Sequence, residues 1–425
     1  MQRTDIWRRG GAISIRRFLG DAARSSRLAL AAGAFGLLAG CVTPISPAPR
    51  VAPAGLSAAQ FSQATQNLRI FDTVWDTVNR KYYDAKFQGV DWGAAAVTYG
   101  PKAVAASDDT ELYGTLNTML GLLHDGHTGA FTPAQAKDYH TQERAMTGFR
   151  LLRVGERWAV DEVLPGSPAE GAGVKPGWIV LTRDGRPLGE RLQLPVLRGG
   201  EVVRWEFLDS RDQPIALALT ARRVSVALRE LRLLPGGIVY LRFDEFDWPK
   251  MHWLSTQLKL HRAAPGVVID LRHNPGGTLL ALDLTVGEFF DRGFRYAVSV
   301  DRAGGRHQLK ALTLGSAHYH GRVAVLVDRV SGSAAEIFAA ALQEKHRATI
   351  IGRRTGGAVL SAKFRALPAG GLLEFSNRDV VTAQGRRLEG NGVIPDIASQ
   401  PPTLADLRAG RDPDLESALR ILAEP

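Results

Sequence analysis

The chain has 425 residues, 45% hydrophobic and 23% charged, with a formal charge of +10. That balance excludes a disordered chain, a collagen and a polytopic membrane protein, and at roughly 150 residues per domain it predicts two to three domains. A single cysteine excludes an intramolecular disulfide framework and a multi-cysteine zinc site. Seven arginines against two aspartates in the first 40 residues account for much of the positive excess. The remainder holds no dense Lys/Arg run with interleaved aromatics, so a solvated basic surface is favoured over nucleic-acid binding.

Leu28 to Gly40, LALAAGAFGLLAG, is an apolar run behind an arginine-rich stretch. It is too short to span a bilayer as a stable helix but fits a signal-peptide core. The run ends in Leu38-Ala39-Gly40-Cys41, which resembles a bacterial lipobox. Residues 1–41 are therefore expected to be a lipoprotein signal peptide, with Cys41 lipidated and holding the chain to the membrane. Val42 follows rather than aspartate, so inner-membrane retention is not signalled and the outer membrane is favoured. Residues 42–56, proline-rich and aperiodic, read as a tether.

Residues 57–140 form a helical region. Phe61, Leu68, Phe71, Val74, Trp75 and Val78 recur at helical spacing, and a second helix is predicted over roughly Asp109–Leu123. It ends at His124-Asp125-Gly126-His127-Thr128, where Gly126 suits a terminating turn. Residues 141–228 change to short apolar alternations divided by Gly/Pro turns, a small β-rich module. From 229 to 425 strands and helices alternate. Ile238–Phe243, Val267–Leu271, Val323–Val327 and Thr349–Ile351 read as strands buried on both faces; Leu279–Phe290 and Ala334–Gln343 read as helices between them. This predicts an α/β fold, a parallel-rich sheet with covering helices, closed by a C-terminal helix over Thr403–Leu422.

No phosphate-binding loop, H-E-x-x-H or paired C-x-x-C is present. Ser333 follows a buried strand and a small-residue turn, at the start of an Ala-rich helix. A nucleophile there would have the free Ala334 N–H and the helix dipole beside it. The plainer alternative is an N-cap, with Glu336 completing a capping box. A second segment, Asp270-Leu271-Arg272-His273-Asn274-Pro275-Gly276-Gly277, places a glycine pair after a buried strand, where backbone can approach a ligand.

Taken together, VVIDLRHNPGG, VLVDRVSGSAAEIFAAALQ, IIGRRTGG and GRRLEGNGVIPD resemble the S41 family of serine peptidases, the C-terminal processing or tail-specific proteases. The resemblance covers roughly 57–400 and implies an S41, crotonase-like core. Val163-Leu164-Pro165-Gly166-Ser167-Pro168-Ala169-Glu170 and its continuation to Ile179 resemble a PDZ domain, with Thr147, Gly148 and Phe149 in the position of its carboxylate-binding loop. By motif, Ser333 is the nucleophile, and Gly276 or Gly277 with Ala334 N–H the oxyanion hole. Many members carry a lysine in TxGK; here Thr355-Gly356-Gly357 is followed by Ala358. Lys363, five residues on, would lie ~16 Å along a strand and on its other face, and Lys345 lies at the far end of the helix from Ser333. A Ser-His-Glu branch of the family, similar to tricorn-core members, implies His127 as base and Glu389 as its orienting acid, with His124 the runner-up base.

The expectation is a lipid-anchored envelope endopeptidase with no metal or cofactor. Its substrates would be proteins or peptides with a free C-terminus, captured by strand addition to the PDZ domain. Its rivals are a non-catalytic PDZ scaffold with a degenerate core, and an α/β esterase.

Overall fold

The computed structural model describes residues 55–424 apart from 142, 191, 193, 195, 227 and 314–317. The expected signal peptide, Cys41 and most of the expected tether lie outside the described residues.

The N-terminal region holds α1 (Ala58–Lys81), α2 (Trp92–Ala105), α3 (Asp109–Leu120), the short strand β1 (Gly129–Phe131) and α4 (Pro133–Thr141). The apolar stripe of α1 packs as expected from Phe71 to Val78, with Ile70, Phe71, Val74, Trp75 and Val78 buried against Leu112, Leu116 and Met119 of α3, whereas Phe61 at its start is 52% exposed. The α2 helix escapes the sequence reading because its Ala-rich run has little periodic contrast and contains Pro101. It is fixed by tertiary contacts. Trp75 Nε1 donates to the Trp92 carbonyl at 2.9 Å. Asn67 Nδ2 donates to the Ala106 carbonyl at 2.9 Å, satisfying an acceptor at the buried end of α2.

The β module contains β2 (Glu143–Met146), β3 (Phe149–Val154), β4 (Arg157–Val163), α5 (Pro168–Gly171), β5 (Ile179–Arg183), β6 (Val202–Leu208), β7 (Pro214–Thr220) and β8 (Arg222–Ser225). Strands β3-β4-β5-β6-β7 form one antiparallel sheet with β3 at its edge, and β2 pairs with β8 at the stem. The alternation of β6, with Val203, Trp205 and Phe207 buried, builds its core around Trp178.

The core continues with β9 (Arg229–Leu234), β10 (Ile238–Phe243), α6 (Trp248–Leu260), β11 (Gly266–Asp270), α7 (Leu279–Gly287), β12 (Arg295–Asp301), β13 (Arg306–Lys310), β14 (Arg322–Val327), α8 (Ala334–Glu344), β15 (Thr349–Gly352), β16 (Ser361–Ala366), β17 (Leu372–Thr382), β18 (Ile397–Ala398), α9 (Leu404–Ala409) and α10 (Pro413–Ala423). The expected parallel-rich sheet is present, in the order β18-β15-β14-β11-β10-β9 with only β9 antiparallel. Helices α6, α7 and α8 cover one face, and α10 the other. The terminal helix is two helices, broken where Gly410 takes a left-handed φ of 63°. A second, antiparallel sheet, β1-β17-β12-β13 with β16 on the other edge of β17, was not anticipated. Through β1 it takes in a strand from the N-terminal region, and it carries the His127 turn to the core.

Candidate active site

Ser333 lies where β14 has turned into α8. Its backbone adopts φ 49° and ψ −118°, a left-handed conformation that is strained for a residue with a Cβ. The strain is held in place from several sides. Ser333 N–H donates to the Ala358 carbonyl at 2.7 Å and to Glu336 Oε2 at 3.2 Å. Gly276 comes so close that a Cβ on it would stand 2.6 Å from Ser333 Cβ and 2.8 Å from Ala334 N. Ala334 is the first residue of α8, so its N–H has no partner within the helix.

The glycine pair divides its work. Gly276 N–H is engaged by Asn274 Oδ1 at 2.9 Å, and its carbonyl accepts from Phe246 N–H at 2.6 Å. The Asn274 side chain is anchored in turn on the Phe243 carbonyl at 3.0 Å. Gly277 follows at φ 142°, and a Cβ there would lie 2.4 Å from the Phe246 carbonyl oxygen. The donors without a hydrogen-bond partner among the described residues are thus Gly277 N–H and Ala334 N–H.

Opposite Ser333 stands the turn carrying His127. Gly126 abuts the vacant lysine position: a Cβ on it would be 3.0 Å from Ala358 Cβ. Asp125 organises the turn, accepting from Tyr82 Oη at 2.7 Å, His127 N–H at 2.9 Å, and the hydroxyls of Thr128 and Ser376 at 3.0 Å each. Burial pulls the His127 pKa below its ordinary value, and the nearby Asp125 charge opposes this in part. Its Nδ1 is buried without a hydrogen-bond partner. His124 is exposed and turns the chain at φ 52°.

Glu389 is buried beside the same turn, and Oε2 accepts from Val359 N–H at 2.7 Å and Leu360 N–H at 3.1 Å. Burial pushes its carboxyl up, opposed by those two N–H groups. Ser333, the His127 turn and Glu389 therefore converge on the segment Ala358–Leu360, but no hydrogen bond joins Ser333 to His127 or His127 to Glu389. The lysines do not substitute. Lys363 is exposed on β16, and Lys345 stacks on the Phe294 ring at 4.9 Å. The buried Lys250 is ion-paired with Asp247 at 2.7 Å and Asp244 at 3.4 Å.

The residue that ties this site together is Glu336, which sequence reasoning saw only as a cap partner. Fully buried, it accepts from Thr355 Oγ1 at 2.5 Å, Gly357 N–H at 2.7 Å, Ala358 N–H at 2.9 Å and Ser333 N–H. Thr355 Oγ1 also accepts from Val393 N–H at 2.6 Å, which ties in the loop after Glu389. The spacing of Glu336 from Ser333 was the available signal; its contacts 19 to 22 residues away were not. Thr147, Gly148 and Phe149 sit apart, in the β module. There Gly148 at φ 97° presses against Ser167, and Phe149 packs on Trp205 with ring centres 4.9 Å apart. Among the described residues, no three His, Cys, Asp or Glu side chains converge as metal ligands.

Residues 237–399 match the family model described as Peptidase family S41, and residues 64–121 match that of the Tricorn protease C1 domain. A carboxyl-terminal-processing protease from Synechocystis sp. is 27% identical over 416 residues, 92% of each chain. A carboxy-terminal-processing protease from Bartonella bacilliformis is 29% identical over 338 residues, 75% of this chain and 76% of its own. Among solved structures, the photosystem II D1 C-terminal processing protease aligns with a TM-score of 0.57 at 23% identity, covering 84% of this chain and 97% of its own. Mature CPAF complexed with lactacystin aligns with a TM-score of 0.62 at 14% identity, covering 85% and 98%. These two likenesses establish the fold.

Proposed function

We propose that this chain is a serine-type peptidase of the S41 kind that it matches over residues 237–399, an envelope endopeptidase, anchored by lipid on Cys41, that cleaves proteins delivered by their C-termini. The observation that carries the chemistry is the strained Ser333 at the start of α8, with Ala334 and Gly277 N–H unoccupied beside it. Ser333 Oγ attacks the scissile carbonyl while the neutral imidazole of His127 takes its proton. The oxyanion settles between the Gly277 and Ala334 N–H groups, at the positive end of α8. Gly276 serves by its closeness, since its own N–H is engaged. The imidazolium then protonates the leaving amine, and the acyl-enzyme is released by water activated in the same way.

Glu389 is assigned to orient His127. Both contacts of the triad form in the substrate-bound state, as catalytic hydrogen bonds that are long in a free enzyme commonly tighten on binding. For the module 141–228 we favour a PDZ role. The edge strand β3 is available to an added peptide strand, next to the tight Gly148 turn.

The rival, a scaffold with an inactive core, draws on Ala358 and on the unjoined triad. Fluorophosphonate labelling separates the two: the wild type is labelled, Ser333→Ala is not, and an unlabelled wild type supports the scaffold. Cleavage of one reporter peptide by His127→Ala, Glu389→Gln and Lys363→Ala then assigns the base. Activity that survives in His127→Ala and dies in Lys363→Ala would replace this triad with a displaced Ser–Lys dyad.

A further inference from the structure

Beside the His127 turn lies a face of the antiparallel sheet. Leu373 and Phe375 of β17 point into the helical core of the N-terminal region, so Leu372, Glu374 and Ser376 face the other way. Ser376 Oγ bonds Asp125 from that face, which is therefore the face toward the His127 turn. Cross-strand pairing sets Phe364 of β16 and Gly129 of β1 beside Glu374. Tyr139 of α4 leans over them, its ring 5.1 Å from Phe364 and 6.0 Å from Phe131. Phe364 is 44% exposed and Tyr139 38%. Glu245, next to the Phe246 backbone that pairs with the glycine pair, is close enough to act on the Tyr139 hydroxyl. This face thus continues to the oxyanion side.

Glu374 is half-buried on this face, and its carboxylate has no hydrogen bond and no ion pair among the described residues. Burial, and then the charge of Asp125, push its carboxyl up to about 7. The cation acting on Tyr139 is Arg144, which donates to the Asp138 and Glu143 carbonyl oxygens. A carboxyl desolvated next to like charge, bordered by exposed aromatic faces and lacking a cation, is stabilised by an incoming one.

We propose that Glu374, beside the contacting rings of Tyr139 and Phe364, is a specificity-determining residue that receives a lysine or arginine side chain of the substrate. This rests on the peptidase reading of the cleft. Glu374 lies two residues, about 7 Å, along β17 from Ser376, so the subsite sits a few residues from the scissile bond. Strand β16 leads there from Ala358 and, among the described residues, pairs only with β17, leaving an edge along which an extended peptide can lie.

The test uses the full chain and one reporter sequence. A single lysine, or neutral norleucine in its place, is moved from four residues before the cleaved bond to four residues after it. At one position lysine should raise kcat/KM about tenfold over norleucine. That ratio should fall to about one in Glu374→Gln and below one in Glu374→Lys. Cleavage with no lysine preference at any position, or a preference that persists in both variants, overturns the subsite alone. If no peptide is cleaved and Ser333 resists fluorophosphonate, the peptidase reading falls and the subsite falls with it.

Discussion

Glu336 shows how one side chain can hold the turn that carries Ser333. It gathers two backbone N–H groups of the 355–358 turn, the Thr355 hydroxyl and the Ser333 N–H around one buried carboxylate. Burial alone pushes its pKa up, and those four donors oppose that rise. Glu336→Gln turns an acceptor oxygen into an NH2 group that faces donors, at a cost of about 1–3 kcal/mol. We expect a lower Tm, and a kcat that falls more than KM rises, because the Ser333 and Ala358 N–H groups lose their common acceptor. An unchanged kcat with a lowered Tm would make Glu336 purely structural. His127 carries a pH signature. Its pKa lies below the ordinary 6.5 because burial disfavours imidazolium, so the neutral base persists to lower pH. The acid limb of kcat/KM should lie below 6.5, with activity lost as pH falls through the depressed value. A histidine kept neutral in the fold also ceases to stabilise it over that same descent, since the unfolded chain binds the proton first. A limb above neutral pH would point to a lysine.

At the scale of elements, what was legible followed contrast. Strands β10, β11, β14 and β15 are largely apolar and bounded by turn residues, so their existence and near-exact limits could be read directly. Helix α8 and Ser333 at its start were legible for the same reason. The antiparallel sheet was not, because β17 carries Glu374, Ser376, Asn377, Arg378 and Asp379 within its 11 residues, and its pairing with β1 bridges more than 240 residues. Nor could sequence distinguish the two glycines after β11, since only the Asn274 side chain decides which N–H remains free. The consequence is testable in Gly277→Ala. Its Cβ would press on the Phe246 carbonyl, displacing one of the two donors proposed for the oxyanion. A loss of about 10²–10³ in kcat is expected, with fluorophosphonate labelling slowed in parallel. Labelling at the wild-type rate would remove Gly277 from the oxyanion hole.

At the scale of the whole molecule, the β module is stitched to the core by charged side chains rather than by a shared apolar core. Arg242 grips Glu162 with two hydrogen bonds of 2.9 and 3.0 Å. His273, at the head of the glycine-pair loop, lies 3.2 Å from Asp161 and 3.6 Å from Asp328. Arg408 of α9 reaches Asp212 and the Gly177 carbonyl. Such a seam is easier to open than a packed one. If the module only captures substrate, Gly148→Ala, whose Cβ would stand 2.0 Å from Ser167 Cβ, should slow cleavage of long proteins and leave short reporters nearly unaffected. Faster turnover of short reporters would mean that the module covers the cleft instead. Anchoring is tested separately: Cys41→Ser should shift the protein from the membrane to the soluble fraction, and palmitate incorporation at the wild-type level would contradict lipidation there.

The backbone of Ser333 carries an implication for how such a chain drifts. Its φ and ψ are those of the first central residue of a type II′ turn, where glycine is at ease and any L side chain is not. Alanine in its place keeps the discomfort; glycine removes it. Of two equally inactive variants, Ser333→Gly should therefore melt higher than Ser333→Ala, despite glycine's greater freedom in the unfolded state. A lineage released from the need to hydrolyse anything would find glycine here a comfortable resting place. Under the nucleophile reading of Ser333, persistence of a hydroxyl-bearing residue in this geometry records ongoing use, and its replacement by glycine in a related chain would be a legible sign of retirement.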